Sequence, residues 1–279
     1  MRWTVPIALL TLAQVASASS LTPDAGSLVQ DSRQTALSRV AAGEGRAYAA
    51  AQDTADPGGP PCPETQLAVA PTAPPIPARV DGPAGVVALT FDAGADRGYA
   101  EDILDTLSES GVPATFGMTG TWAMANPELV ERMAGAGHMV INHTFDHRSF
   151  TGLSDQLGGL SADWRRYELL QADAIIAPLI GHTTCPWYRL PYFDADSRVV
   201  ADVAEAGYTQ QVGWTIDTLG WRGSPVQNIV ARSLRLAAPN AVYVMHVGVQ
   251  SRDGPALPSI VEGLKGMGYG FATVATLNE

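Results

Sequence analysis

The chain has 279 residues, 46% of them hydrophobic and 16% charged. That is enough apolar material for a sizeable core and excludes a disordered chain. A formal net charge of −11 and a pI near 4.8 exclude nucleic acid and anionic membrane surfaces as main partners, because both would repel it.

Taken from the start, Arg2 precedes an apolar stretch from Val5 to Ala16, and Ala16-Ser17-Ala18 has the A-x-A pattern of a signal-peptide cleavage site. Residues 1–18 therefore read as a secretory signal peptide cut after Ala18, with no nearby cysteine to carry a lipid. The stretch is too short for a confident membrane span, so a free exported or cell-wall-associated protein with no span in its mature form is expected, an uncleaved anchor being the alternative. Residues 19–84 form an N-terminal extension. Its Ala-rich first part, Ala25 to Thr54, has a thin apolar face, and its second, Asp56 to Pro83, has prolines at 57, 60, 61, 63, 71, 74, 75, 77 and 83 that hold the backbone extended as a spacer or strap. The two cysteines, Cys62 and Cys185, permit one disulfide in an oxidising compartment, tying this extension to the region beyond.

Residues 85–279 read as the folded domain. The run Val86-Val87-Ala88-Leu89 lacks polar alternation, as a strand covered on both faces does, and it stops at Thr90-Phe91-Asp92-Ala93-Gly94. A helix is expected within Tyr99 to Ser110, a strand at Ala114 to Met118, a helix at Asn126 to Ala134 with Pro127 at its first position, and a strand at His138 to Asn142. A long helix about Ser154 to Ala177 should stop at Pro178, followed by extended chain at Pro186 to Pro191, a helix at Ser197 to Ala206 and a strand at Thr209 to Ile216. Helices at Pro225 to Leu236 and Leu257 to Met267 alternate with strands at Ala241 to Met245 and Phe271 to Leu277. Such alternation predicts an α/β fold on a parallel sheet closed into a barrel.

Ionisable residues gather at the strand ends: Asp92, His143, His147, Arg189, Asp217 and His246. In a barrel these ends converge on one face, where chemistry is placed. Asp92 alone reads equally well as a cap of the next helix. The spacing of His143 and His147 lets two imidazoles face one metal, neutral imidazole being a good zinc ligand. Tyr192 and Trp221 lie close by in sequence, and flat aromatic faces suit sugar rings.

The ordered segments TFDAG (90–94), HTFDH (143–147), RLPY (189–192), DTLGW (217–221) and VMH (244–246) resemble the polysaccharide deacetylase family, also called NodB-like or carbohydrate esterase family 4, over about Val86 to Leu277. The resemblance implies a distorted (β/α)7 barrel, a divalent metal, usually zinc, and hydrolysis of N-acetyl or O-acetyl groups on a polysaccharide such as peptidoglycan or a chitin-type oligomer. It makes His143 and His147 metal ligands, Asp92 the general base, His246 the general acid and Arg189 the residue that orients the base. Tyr192 would offer a backbone N–H to the oxyanion, and Trp221 would wall the acetyl groove. Two positions depart from the family pattern: Ala93 replaces an expected ligand carboxylate, and Gly220 replaces the carboxylate expected to steady His246. Asp96 is a candidate substitute ligand, Asp92 itself another, and Asp217 a candidate partner for His246. A monomer is expected. The alternative is a carbohydrate-binding protein on the same barrel that has lost catalysis with Ala93 and Gly220.

Overall fold

The computed structural model describes residues 76–279. The expected signal peptide, most of the N-terminal extension and Cys62 lie outside the described residues; Cys185 is not a free thiol.

The strands are β1 (Arg79–Val80), β2 (Val86–Ala93), β3 (Thr115–Met118), β4 (Met139–Asn142), β5 (Trp187–Tyr188), β6 (Gln210–Gln211), β7 (Ile216–Asp217), β8 (Val242–His246) and β9 (Gly270–Ala272). The helices are α1 (Ala100–Ser110), α2 (Gly120–Ala125), α3 (Pro127–Gly135), α4 (Ala162–Ile180), α5 (Ser197–Glu205), α6 (Val226–Arg235) and α7 (Asp253–Gly266). All residues of β2 are buried, which is why its sequence runs apolar without alternation.

Parallel pairing runs β7-β8-β2-β3-β4-β5-β6, so β2 is an interior strand of the run, paired on both sides. β6 and β7 follow one another in sequence but stand at opposite ends of this run and are not paired with each other. The fold is thus a (β/α)7 barrel left open at one seam, the distorted barrel that the sequence led us to expect. β9 adds to the start of β2 in parallel, and β1 pairs antiparallel with β9.

A single strand was expected over Thr209 to Ile216, yet it is split into β6 and β7, the Val212 N–H donating to the Tyr188 carbonyl on one side and the Thr215 N–H to the Val242 carbonyl on the other. There the carbonyls of Val212 and Gly213 accept from the Arg189 guanidinium at 2.9 and 3.3 Å instead of from a neighbouring strand. Other boundaries also moved. The long helix starts at Ala162 because the Ser161 hydroxyl caps it by accepting from Trp164 N–H, and it carries Pro178 inside its last turn. The short helix α2, capped by Thr119, has no counterpart among the expected elements. α7 begins at Asp253, four residues before the expected Leu257.

The main core packs β2, β3 and β8 against α1, α3 and α7 through Leu89, Phe91, Phe116, Leu104, Tyr243 and Leu257. Each such side chain contributes about 1.5 to 3 kcal/mol on burial. A second cluster of Phe150, Leu169, Tyr188, Val199 and Tyr208 seats β5 between α4 and α5. Among the described residues no helix is long and apolar enough to cross a membrane.

Candidate active site

The carboxyl ends of β2, β4 and β8 meet around Asp92. This residue is inside the strand and buried, not the cap of α1, whose first turn follows Tyr99. Its Oδ1 accepts from Arg189 Nη1 at 2.8 Å, and Oδ2 lies 3.9 Å from His143 Nε2. Arg189 is 1% exposed and its other donors go to Thr90 Oγ1 at 2.9 Å and to the seam carbonyls. A buried guanidinium so fully used holds the Asp92 carboxylate in place through its Nη1. Burial pushes the Asp92 pKa up, but Arg189, with His143 and His246, outweighs it and holds the carboxyl below its ordinary value.

The HTFDH loop follows β4. Asn142 anchors it, donating to Leu169 C=O and Tyr208 Oη, both at 2.9 Å, while its own Oδ1 accepts the Thr144 N–H. Thr144 and His147 adopt left-handed backbone angles, φ 69° and 67°, which a non-glycine residue holds only when its surroundings force it. The forcing contact from below is Glu168, whose Oε2 accepts the N–H groups of Phe145 and Asp146 at 2.9 and 3.0 Å. Burial and the neighbouring Asp146 raise the Glu168 pKa to about 8. The imidazoles of His143 and His147 meet edge to face, 5.0 Å between centroids. His143 Nδ1 lies 2.7 Å from the Arg189 carbonyl, so it carries the proton and leaves the Nε2 lone pair toward Asp92. Burial depresses both histidines, His143 despite Asp92, and His147 to about 3.

Tyr192 (φ 59°) and Phe193 (φ 56°) are also left-handed, and both rings are exposed. Tyr192 stacks edge-on against His147 at 5.0 Å, and Phe193 against Trp214 at 5.1 Å. Trp221 is exposed, with Arg222 over its ring at 4.7 Å and its indole N–H on Asp217 Oδ2 at 3.2 Å. Asp217 also accepts the Leu219 N–H at 2.8 Å. Its carboxylate therefore serves the DTLGW turn and is not the one nearest to His246. That place belongs to Asp253, which the sequence reading passed over: its Oδ2 lies 3.9 Å from His246 Nδ1. Burial pushes the His246 pKa down, but the carboxylates of Asp253, Asp92 and Asp217 outweigh it and leave the pKa raised. Trp214 and Glu168 were missed too; a lone exposed indole and a mid-helix Glu carry no spacing signal.

Asp96, the candidate substitute for the ligand missing at Ala93, is exposed, and its Oδ1 accepts the Val249 N–H at 2.8 Å. It serves the 247–249 loop. Among the described residues no three His, Cys, Asp or Glu side chains stand in a ready-made metal cluster. The donor chemistry nevertheless suits a divalent cation: two imidazoles kept neutral by burial, one with its tautomer fixed, and an ionised carboxylate oxygen beside them.

Residues 79–211 match the family model described as polysaccharide deacetylase. A peptidoglycan-N-acetylglucosamine deacetylase of Bacillus cereus is 31% identical over 195 residues, covering 69% of this chain and 87% of that relative. The chain belongs to the polysaccharide deacetylase family. A chitooligosaccharide deacetylase of Bradyrhizobium is 33% identical over 162 residues, 58% of this chain and 70% of the relative. The crystal structure of the Bc1960 peptidoglycan N-acetylglucosamine deacetylase superposes with a TM-score of 0.63 at 29% identity, covering 71% of this chain and 90% of that one. As a polysaccharide deacetylase, the protein is a hydrolase of acetyl groups on glycans, and its strand-end residues can be assigned chemistry on that footing.

Proposed function

We propose that this polysaccharide deacetylase is exported and removes N-acetyl groups from a cell-wall glycan of the peptidoglycan or chitin-oligomer class, with Asp92 as general base and His246 as general acid. One observation carries the assignment. Asp92 and His246 are register partners on β2 and β8, and their surroundings push their pKa values in opposite directions. A carboxyl whose pKa is lowered beside an imidazole whose pKa is raised is the arrangement that acid–base hydrolysis needs.

His143 and His147 would hold a divalent cation, zinc by donor type. When bound, such an ion supplies a more acidic water and polarisation of the acetyl carbonyl. Arg189 keeps Oδ1 of Asp92 occupied, so Oδ2 is the atom that accepts the proton of the attacking water. His246 then donates a proton to the amine as the C–N bond breaks, leaving acetate and the free amino sugar. The ring of Tyr192 closes the His147 side, and the ring of Trp221 offers a flat wall to the sugar. The substrate class follows what the relatives act on, and export follows the signal peptide read at residues 1–18.

The test is acetate release from N-acetylglucosamine oligomers and from peptidoglycan after chelation and after zinc is restored. Release that is lost on chelation and returns with zinc is expected. A buried Ala93, with no carboxylate where a ligand was expected, favours the rival reading of a binder without turnover. Glycan binding with no acetate release would establish that rival.

A further inference from the structure

Asp253 opens α7 and is 0% exposed, so its carboxylate is a charge withdrawn from water. Such a charge persists only where donors surround it. Oδ1 accepts from the Thr218 hydroxyl at 2.7 Å, and Oδ2 accepts from the Ser251 hydroxyl at 2.6 Å and the His246 backbone N–H at 3.0 Å. These partners come from the turn after β7, the loop after β8 and the end of β8 itself. They fix the carboxylate facing the edge of the His246 ring, where Nδ1 is buried with no hydrogen-bond partner, 3.9 Å from Oδ2.

The space for this carboxylate exists because residue 220 has no side chain. A Cβ built on Gly220 would fall among the carboxylate atoms of Asp253, 2.5 Å from Cγ and 2.6 Å from Oδ2. Either position can place a group there, but not both at once. Asp217 is no competitor, since its oxygens serve Leu219 N–H and the Trp221 indole.

We infer that Asp253 is the positioning residue of His246, its carboxylate occupying from α7 the place that Gly220 leaves vacant. A slight turn of the ring brings Nδ1–H onto Oδ2. That holds the tautomer and presents Nε2 to the leaving amine. The inference rests on the reading of His246 as the proton donor.

The test compares Asp253→Asn, Asp253→Ala, His246→Ala and the double variant Gly220→Asp/Asp253→Ala in the zinc-loaded full chain, following acetate release and thermal unfolding. Asp253→Asn should lower kcat about 10- to 100-fold with KM within about two-fold. The double variant should recover most of the kcat that Asp253→Ala loses, because the carboxylate returns from the opposite side of the same space. In ¹⁵N spectra of His246 the Nδ1–H signature should weaken in Asp253→Asn and return in the double variant.

A folded Asp253→Asn with unchanged kcat, or a double variant no more active than Asp253→Ala, would overturn the inference. If Asp253→Asn does not fold, the comparison of Asp253→Ala with the double variant decides, and a double variant that folds but stays inactive also overturns it. His246→Ala distinguishes the two levels. An inactive His246→Ala with an unaffected Asp253→Asn removes only the role of Asp253, whereas a fully active His246→Ala removes the proton-donor reading beneath it.

Discussion

Asp92 and His246 sit opposite one another on adjacent parallel strands, and the Val247 N–H closes the pair by donating to the Asp92 carbonyl at 3.1 Å. The distance between the proposed base and acid is therefore set by a strand ladder in the core rather than by loops. That is the rigid support a catalytic pair requires.

Arg189 is the first consequence of this rigidity. It is buried against a buried Asp92, so Arg189→Met would leave an uncompensated charge in the core and should cost about 3 to 5 kcal/mol in urea unfolding at neutral pH. Arg189→Lys should also lose activity, because a single ammonium cannot reach Asp92, Thr90 and the two seam carbonyls together.

Gly117, the register partner of Asp92 on β3, has no room for a methyl group: a Cβ there would overlap Asp92 Oδ1. Gly117→Ala should displace the carboxylate, lowering kcat/KM about 100-fold while costing only about 1 to 3 kcal/mol of stability. Steady-state kinetics beside a thermal melt separates the two effects.

Glu168 holds the HTFDH loop by accepting two backbone N–H groups, and its raised pKa of about 8 makes it neutral at pH 7. Glu168→Gln keeps a neutral acceptor and should retain most activity. Glu168→Ala leaves two N–H groups unpaired, which should cost about 2 to 4 kcal/mol and weaken zinc retention, read by metal content after dialysis.

His138 supplies a pH dependence of stability that is independent of the site. It accepts the Ala114 N–H at Nδ1, packs edge-on against Phe116, and burial lowers its pKa to about 4 from 6.5. The unfolded chain binds this proton more readily, so stability is fully present above pH 6.5 and falls as the pH drops toward 4, by about 3 kcal/mol in all. Urea midpoints measured from pH 7 to pH 4 should show the loss, and His138→Asn should flatten it.

Much of this was legible in the chain. The apolar run of β2 announces a doubly covered strand, and the ionisable residues after successive strands announce a shared face, because both follow from local periodicity. The seam was not legible: between Gln211 and Ile216 the backbone passes from β5 to β8, and the Val212 carbonyl there is taken by a guanidinium 23 residues earlier. The start of α4 was misread because residues 154–161 are used up in a loop in which the Arg148 guanidinium and the Ser149 N–H donate to Asp155, while the Ser149 hydroxyl donates to Asp194. Asp253 was invisible for the same reason: only the fold of the 247–252 turn carries it back to His246, and Gly220 showed itself merely as a missing carboxylate.

The most direct test of the account is the pH dependence of kcat/KM on an N-acetylglucosamine oligomer. The base must be ionised, and with its pKa lowered the rate should fall on the acid side only below the ordinary 3.8 of a free aspartate. The acid must be protonated, and with its pKa raised the alkaline decline should come above the ordinary 6.5 of histidine. Asp92→Asn should lose about 10² to 10⁴ in rate, and His246→Ala should lose both rate and alkaline limb. A His246→Ala enzyme with the wild-type rate and the wild-type alkaline limb would contradict the assignment of Asp92 and His246 as base and acid.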